Sequence, residues 1–298
     1  MSSPDKSGPP SPANHRPPRL HRADHGDGRP LMLFHGVTRC GADWDGLIPA
    51  LVADWKVITL DQRGHGDSPR AESYLVTDYV ADAVRFLEEE TADPIVLFGH
   101  SLGAMVAAVV AAELPDRVHA IILEDPPFHT MGNRIAGSAW QAQFTGMREA
   151  ARKRGSVEEI TDALAEIRLP ASGGGFKRLG DLRDRASLAW SAQCLSQRDP
   201  EVLTPVIEGR WLDGCDFPDA LSNVRCPTLL LRADPSAGGA LTDADAESIM
   251  SIVSDCQQVR FPGCGHNLHR DHPESVLRAF ADFASSLPFS TNTPATAP

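Results

Sequence analysis

An α/β protein with a mostly parallel central sheet covered by helices on both faces is the fold class this sequence predicts, and three observations predict it. Short apolar runs bounded by turn residues recur at Leu31 to His35, Lys56 to Leu60, Pro94 to Phe98, Val118 to Leu123, Thr228 to Arg232 and Gln257 to Phe261. Among them lie stretches with apolar residues at three- and four-residue spacing, Asp43 to Leu51 and Thr77 to Glu90, and buried runs alternating with such helices mark a parallel sheet. Finally, Gly99-His100-Ser101-Leu102-Gly103 links an apolar run to the alanine-rich Ala104 to Ala112. That reads as strand, sharp turn and helix, with a serine at the apex.

Taken in chain order, residues 1–18 are rich in proline, serine and charge and bury too little apolar surface to order themselves, as do residues 288–298, so both ends are expected to be disordered tails. Leu20 to Ala23 is expected to be a short first strand. The strand-and-helix alternation fills residues 19–125 and resumes over 225–287. Between them, residues 126–224 break the pattern, with helical candidates at Gly137 to Arg152, Ser156 to Ile167, Leu182 to Ser196 and Asp199 to Glu208. This stretch is expected to be a helical cap inserted after the sixth strand, roofing a site at the carboxyl ends of the strands.

Composition narrows the function. A chain of 298 residues with 42% apolar content is expected to form one soluble core. The formal charge of −12 argues against nucleic acid as a partner. No run approaches the ~20 apolar residues of a membrane span and the N-terminus lacks a signal-peptide core, so no membrane association and a cytoplasmic location are expected. Six scattered cysteines have neither metal-type pairing nor disulfide density and are expected to be free thiols; His15, His21 and His25 lack the supporting acids of a metal site.

The chemistry centres on Ser101. A turn tight enough to expose a nucleophile leaves no room for side chains two residues away on either side, so glycine is required at 99 and 103. A serine hydroxyl is a poor nucleophile at neutral pH and needs a base, whose tautomer needs an acceptor to fix it. His266, after Gly263-Cys264-Gly265, and Asp234, after the Thr228 to Arg232 run, supply these types in the order serine, acid, histidine.

Together with Leu31-Met32-Leu33-Phe34-His35-Gly36 and Asp61-Gln62-Arg63-Gly64-His65-Gly66-Asp67-Ser68, these segments resemble an α/β-hydrolase over residues 19–125 and 225–287. The resemblance implies Ser101 as nucleophile, His266 as general base, Asp234 as orienting acid, and the backbone amides of Val37 and Leu102 as an oxyanion hole. Asp125 is the alternative acid, since some relatives of this fold carry it after that strand. Asp61, Arg63, His65 and Asp67 are expected to brace a loop, and His35 and His100 to be hydrogen-bonded core groups. His129, Trp140, Trp190 and Trp211 are the expected substrate contacts, with Phe144 and Phe217 as further aromatic candidates. The implied activity is a serine hydrolase of a small carboxylic ester or lactone, acting through an acyl-serine without metal or organic cofactor. Its partner is then a small ester-type molecule, with homo-oligomerisation left open. Amide or carbon–carbon hydrolysis, cofactor-free oxygenase or perhydrolase chemistry, and a slow-turnover receptor are the rival readings. Succinate-type hydrolases of this fold need a cation for a substrate carboxylate, for which Arg134, Arg148 and Arg183 are candidates.

Overall fold

The computed structural model describes residues 19–91, 93–171 and 173–288; both expected tails, apart from Pro288, lie outside the described residues. A seven-stranded sheet runs in the order β1-β3-β2-β4-β5-β8-β9. Its strands are β1 (Arg22–His25), β2 (Arg29–Phe34), β3 (Trp55–Leu60), β4 (Ile95–His100), β5 (Val118–Glu124), β8 (Thr228–Ala233) and β9 (Cys256–Phe261). Only β1 is antiparallel to its neighbour; every other pairing is parallel.

Seven described helices reach nine residues or more: α1 (Val76–Glu90), α2 (Leu102–Glu113), α3 (Ala139–Arg152), α4 (Val157–Ala165), α5 (Arg185–Ser196), α6 (Asp243–Ile252) and α7 (Pro273–Ser286). Side chains alternate faces along a strand, so Met32 and Phe34 pack with α1, α2 and α6, whereas Leu31 and Leu33 pack with Trp44, Leu47 and the Phe280 and Phe283 side of α7. Both faces being covered explains why the strands read as continuous apolar runs.

Several boundaries differ from the sequence reading. Among the described residues the insertion follows the fifth strand rather than the sixth, because a single strand, β1, precedes β2. The helix expected over Asp43 to Leu51 is instead a tight turn at Gly41–Trp44 and a separate turn at Ile48–Leu51 with proline in its first positions. The Asp199 to Glu208 candidate is likewise two short turns, Pro200–Leu203 and Thr204–Ile207. A small hairpin of β6 (Arg168–Pro170) and β7 (Phe176–Arg178) sits in the insertion and was not read from the sequence; at three residues each, the strands are too short for a period to show. The helices of the insertion start where polar caps stand: Ser138 accepts from Gln141 N, Ser156 and Glu159 form a capping box, and Asp184 accepts from Ser187 N.

The turn from β4 into α2 is packed too tightly for any side chain at its two glycines. A Cβ on Gly99 would lie 2.1 Å from the Gly103 carbonyl oxygen, and one on Gly103 would lie 2.1 Å from that of Phe34. Gly103→Ala should therefore lower the melting temperature by roughly 5 to 10 °C, given the cost of overpacking against backbone. Gly46→Ala, whose methyl meets nothing within 4 Å, should stay within about 2 °C of wild type in the same thermal unfolding experiment.

Candidate active site

Ser101 occupies the apex of that turn with φ 54° and ψ −113°, a backbone conformation that a residue with a Cβ adopts only when its surroundings enforce it. The enforcement is visible. Its amide donates to the Glu124 carbonyl oxygen at 2.9 Å on β5, and the α2 backbone follows at once. As the first residue of α2, Leu102 has an amide without an intrahelical acceptor. Gly36 and Val37, at the end of β2, line the same small recess as Ser101, together with Trp140, Phe144 and His266.

His266 follows β9, and its Nδ1 donates to Asp125 Oδ2 at 2.6 Å. Asp125 is fully buried at the end of β5, itself at φ 43°, and its carboxylate also accepts the amides of Ala240 at 2.7 Å and Leu241 at 3.2 Å. Asp234, the expected acid, is not the partner of His266. It caps its own turn, accepting from Ser236 N at 2.8 Å and Ser236 Oγ at 2.7 Å, and from Gly263 N at 2.8 Å. The Ser236 hydroxyl, followed by the amides of Gly263 and Ser236, holds its carboxyl below the usual carboxylate range. The reason is local: Pro235 and Gly238 fold the chain back so that the Asp234 carboxylate is consumed by backbone donors, while the amides of 240 and 241 are delivered to Asp125.

Behind His266 lies a buried charge network that sequence reasoning missed. His269 is held at both ring nitrogens, by Glu124 Oε1 at 2.8 Å and Asp43 Oδ2 at 3.0 Å. Although burial opposes its charge, the two carboxylates push the imidazole up to about 9. Asp43 in turn lies 3.8 Å from Arg39, accepts from Arg270 at 3.3 Å and from Trp190 Nε1 at 2.8 Å, and is held far below the usual carboxylate range against the opposing effect of burial. His100 sits between the two histidines, its Nε2 2.9 Å from the His266 carbonyl oxygen; burial, followed by the His266 and His269 charges, drives it well below its ordinary value.

The remaining expectations divide. Trp140 lines the recess, edge-on to His266 at 5.3 Å between ring centres, and Phe144 joins it. Trp190 is spent on Asp43 and Arg270 rather than on a cavity. Trp211 is fully buried and Phe217 packs against Phe128, so both serve the hydrophobic core. His129 sits in the Phe128–Met131 turn, lining neither the recess nor the larger cavity beside it. Asp61 accepts Gly41 N at 2.7 Å and Asp67 N at 3.0 Å, and Arg63 donates to Asp82, so this segment does brace loops. The Val37 carbonyl accepts from Arg198 at 2.9 Å and lies 2.8 Å from His65 Nε2, which fixes the loop carrying the Val37 amide. All six cysteines are free; Cys40 and Cys194 approach to 3.9 Å between sulfurs.

Residues 29–273 match the family described as alpha/beta hydrolase fold, and the chain belongs to that family. It is 27% identical over 275 residues to 2-(acetamidomethylene)succinate hydrolase of Mesorhizobium japonicum, covering 89% of this chain and 91% of that protein. It is 31% identical over 259 residues to pimeloyl-[acyl-carrier protein] methyl ester esterase of Aromatoleum aromaticum, covering 85% and 96%. Among solved structures, the N-formylmaleamic acid deformylase of Pseudomonas putida superposes with a TM-score of 0.71 at 20% identity, covering 88% of this chain and 95% of that one. These relatives are hydrolases, which supports an enzyme of that class. No described helix is long and apolar enough to cross a membrane.

His269 gives the site a distinctive pH response. It binds its proton more tightly folded than unfolded, so its contribution to stability is complete below about 6.5 and is lost as pH rises toward about 9. The buried His35, His65 and His100 have lowered values and act below that window, with the opposite slope. His269→Gln should cost about 3 kcal/mol or more by stranding Asp43 and Glu124. In urea unfolding between pH 6.5 and 9, wild type should lose more stability than this variant.

Proposed function

We propose that this protein is a serine hydrolase that cleaves a small carboxylic ester or lactone through an acyl-serine, with Ser101, His266 and Asp125 as its triad. The observation that carries this reading is the buried Asp125–His266 hydrogen bond in the recess that also holds the strained Ser101. With Nδ1–H committed to Asp125, the neutral imidazole keeps Nε2 as its basic nitrogen, directed by elimination to the serine proton.

In the first half-reaction His266 Nε2 takes the Ser101 proton as Oγ attacks the substrate carbonyl, and the Val37 and Leu102 amides receive the oxyanion. One such donor is typically worth about 3 kcal/mol of barrier. The imidazolium then protonates the leaving group while Asp125 stabilises its charge. Water, deprotonated by His266 in turn, attacks the acyl-serine; the Oγ–acyl bond breaks, His266 returns the proton to Ser101 Oγ, and the acid leaves. Residues 126–224 act as the cap, since Trp140, Gln143 and Phe144 from α3 wall the recess. The M. japonicum relative is named for a succinate derivative and the A. aromaticum relative for a methyl ester, which supports acyl-carbonyl chemistry at this site.

Steady-state turnover of 4-nitrophenyl esters from acetate to octanoate, with a lactone and an amide beside them, tests the reading. Ser101→Ala should abolish turnover, and Asp125→Asn should lower kcat by about 10⁴. Asp234→Asn should stay within about threefold of wild type. Equal loss in Asp125→Asn and Asp234→Asn, or full activity of Ser101→Ala, would overturn the assignment. A single stoichiometric burst with no second cycle would replace the enzyme with a receptor.

A further inference from the structure

Beside the recess lies a larger cavity of about 690 Å³, walled by α3, α5 and the 235–239 and 265–271 loops. Arg39, Trp140, Gln143, Arg183, His266 and Asn267 belong to the walls of both spaces, so a molecule bound at Ser101 reaches the larger cavity past Arg183.

The charge there runs against the rest of the protein. The chain carries a formal −12, yet the cavity wall holds Arg39, Arg183 and Arg270 against Asp184 and Asp271. Two of these arginines already have roles: Arg39 donates to Ser191 and Asn267, and Arg270 donates to Asp43 and lies over the Trp190 ring. The backbone amide of Arg183 donates to the Leu179 carbonyl oxygen, but its guanidinium has no hydrogen bond or ion pair among the described residues. Asp184 is occupied as the cap of α5, accepting from Ser187 N at 2.8 Å, and Asp271 is exposed and acts on Arg183 only at longer range. Burial, then the repulsion of Arg39 and Arg270, lowers the Arg183 guanidinium to about 10, with Asp271 opposing. In the adjoining network the cations Arg39, Arg270 and His269 outnumber the anions Asp43 and Glu124, so no spare internal carboxylate balances Arg183.

An unpaired guanidinium on the wall of a cavity is costly unless an anion completes it, and its planar fork fits a carboxylate at two points. Of the three arginines singled out from the sequence, the other two are committed elsewhere: Arg134 pairs with Asp245, and Arg148 donates to Thr204 at 3.1 Å.

We propose that Arg183, backed by Arg39 and Arg270, binds a carboxylate of the substrate, so that the molecule hydrolysed at Ser101 is an anionic acyl compound bearing a free carboxyl group besides its scissile carbonyl. This rests on the acyl-hydrolase reading of the same site. The carboxylate sits toward the 690 Å³ cavity, and the scissile carbonyl sits in the recess between Ser101 and the Val37 amide. Trp140, shared by both spaces, stacks on the chain between the two groups.

Two measurements test the proposal independently of each other. The first compares kcat/KM for mono-4-nitrophenyl glutarate with that for its neutral methyl ester. Wild type should prefer the anion by roughly ten- to hundredfold, the scale of one charged hydrogen-bonded pair. Arg183→Gln should bring that ratio toward one, mainly through KM, and Arg183→Lys should restore part of it. The second measures binding of glutarate and of neutral glutaramide to the Ser101→Ala protein by calorimetry. Glutarate should bind, weaken with added salt, and lose at least tenfold in affinity when Arg183→Gln is added; glutaramide should not compete. Turnover with an anionic-to-neutral ratio within twofold, or glutarate binding indifferent to Arg183→Gln, would overturn the proposal while leaving the serine-hydrolase reading in place. Absent turnover of every ester, with glutarate binding that depends on Arg183, would instead remove the hydrolase reading and keep the anion site.

Discussion

The approach of the α2 backbone to β2 and β4 is the contact on which the rest of the site depends. With hydrogen in place of Cβ at 99 and 103, the first turn of α2 lies directly on the Phe34 carbonyl of β2, and its own Gly103 carbonyl lies directly on Gly99 of β4. That closeness holds Ser101 at φ 54° in the wall of the recess that Val37 also lines, with the Leu102 amide next to it at the helix start. The strained turn at Ser101 and the free amide at the start of α2 thus come from one packing event, and its energetic source is the burial of α2 against the sheet and α1.

The second support is electrostatic. Glu124, the last residue of β5, holds His269, and its neighbour Asp125 holds His266, so two consecutive residues of one strand end anchor two histidines of one loop. Asp43 extends the arrangement to the loop after β2 through Arg39, and to the insertion through Trp190 of α5. Core and insertion are therefore joined by buried charges rather than by apolar contact alone. Such charges are expensive to desolvate and pin geometry once paired. They hold His266 in register with Ser101, which follows a different strand and lines the same recess.

The placement of the acid shows where sequence and structure part. Asp125 and Asp234 are both single aspartates directly after buried strands, β5 and β8, which are neighbours in the sheet. Their position after a buried strand does not separate them. What separates them is the supply of donors: the turn at 234–239 satisfies Asp234 internally and leaves the amides of 240 and 241 for Asp125, whose carboxylate then faces His266 from within the core. The aromatic candidates divided for a similar reason. Trp140 reaches the recess from α3, while Trp190 found a buried acceptor and Trp211 was buried whole; helical spacing says which face is apolar, not what lies opposite it.

The sequence by itself determined the sheet with its covering helices and the sharp turn at Ser101 with its two glycines, because each is written in local periodicity or in a steric demand between residues close in the chain. The tertiary structure alone decided which aspartate meets His266, which of the cavity-wall arginines is left without a carboxylate, and how Asp43, Glu124 and His269 share charge. Those outcomes depend on which donors and ions the fold brings together across more than a hundred residues, and on the low dielectric of the interior, which makes each such pairing decisive.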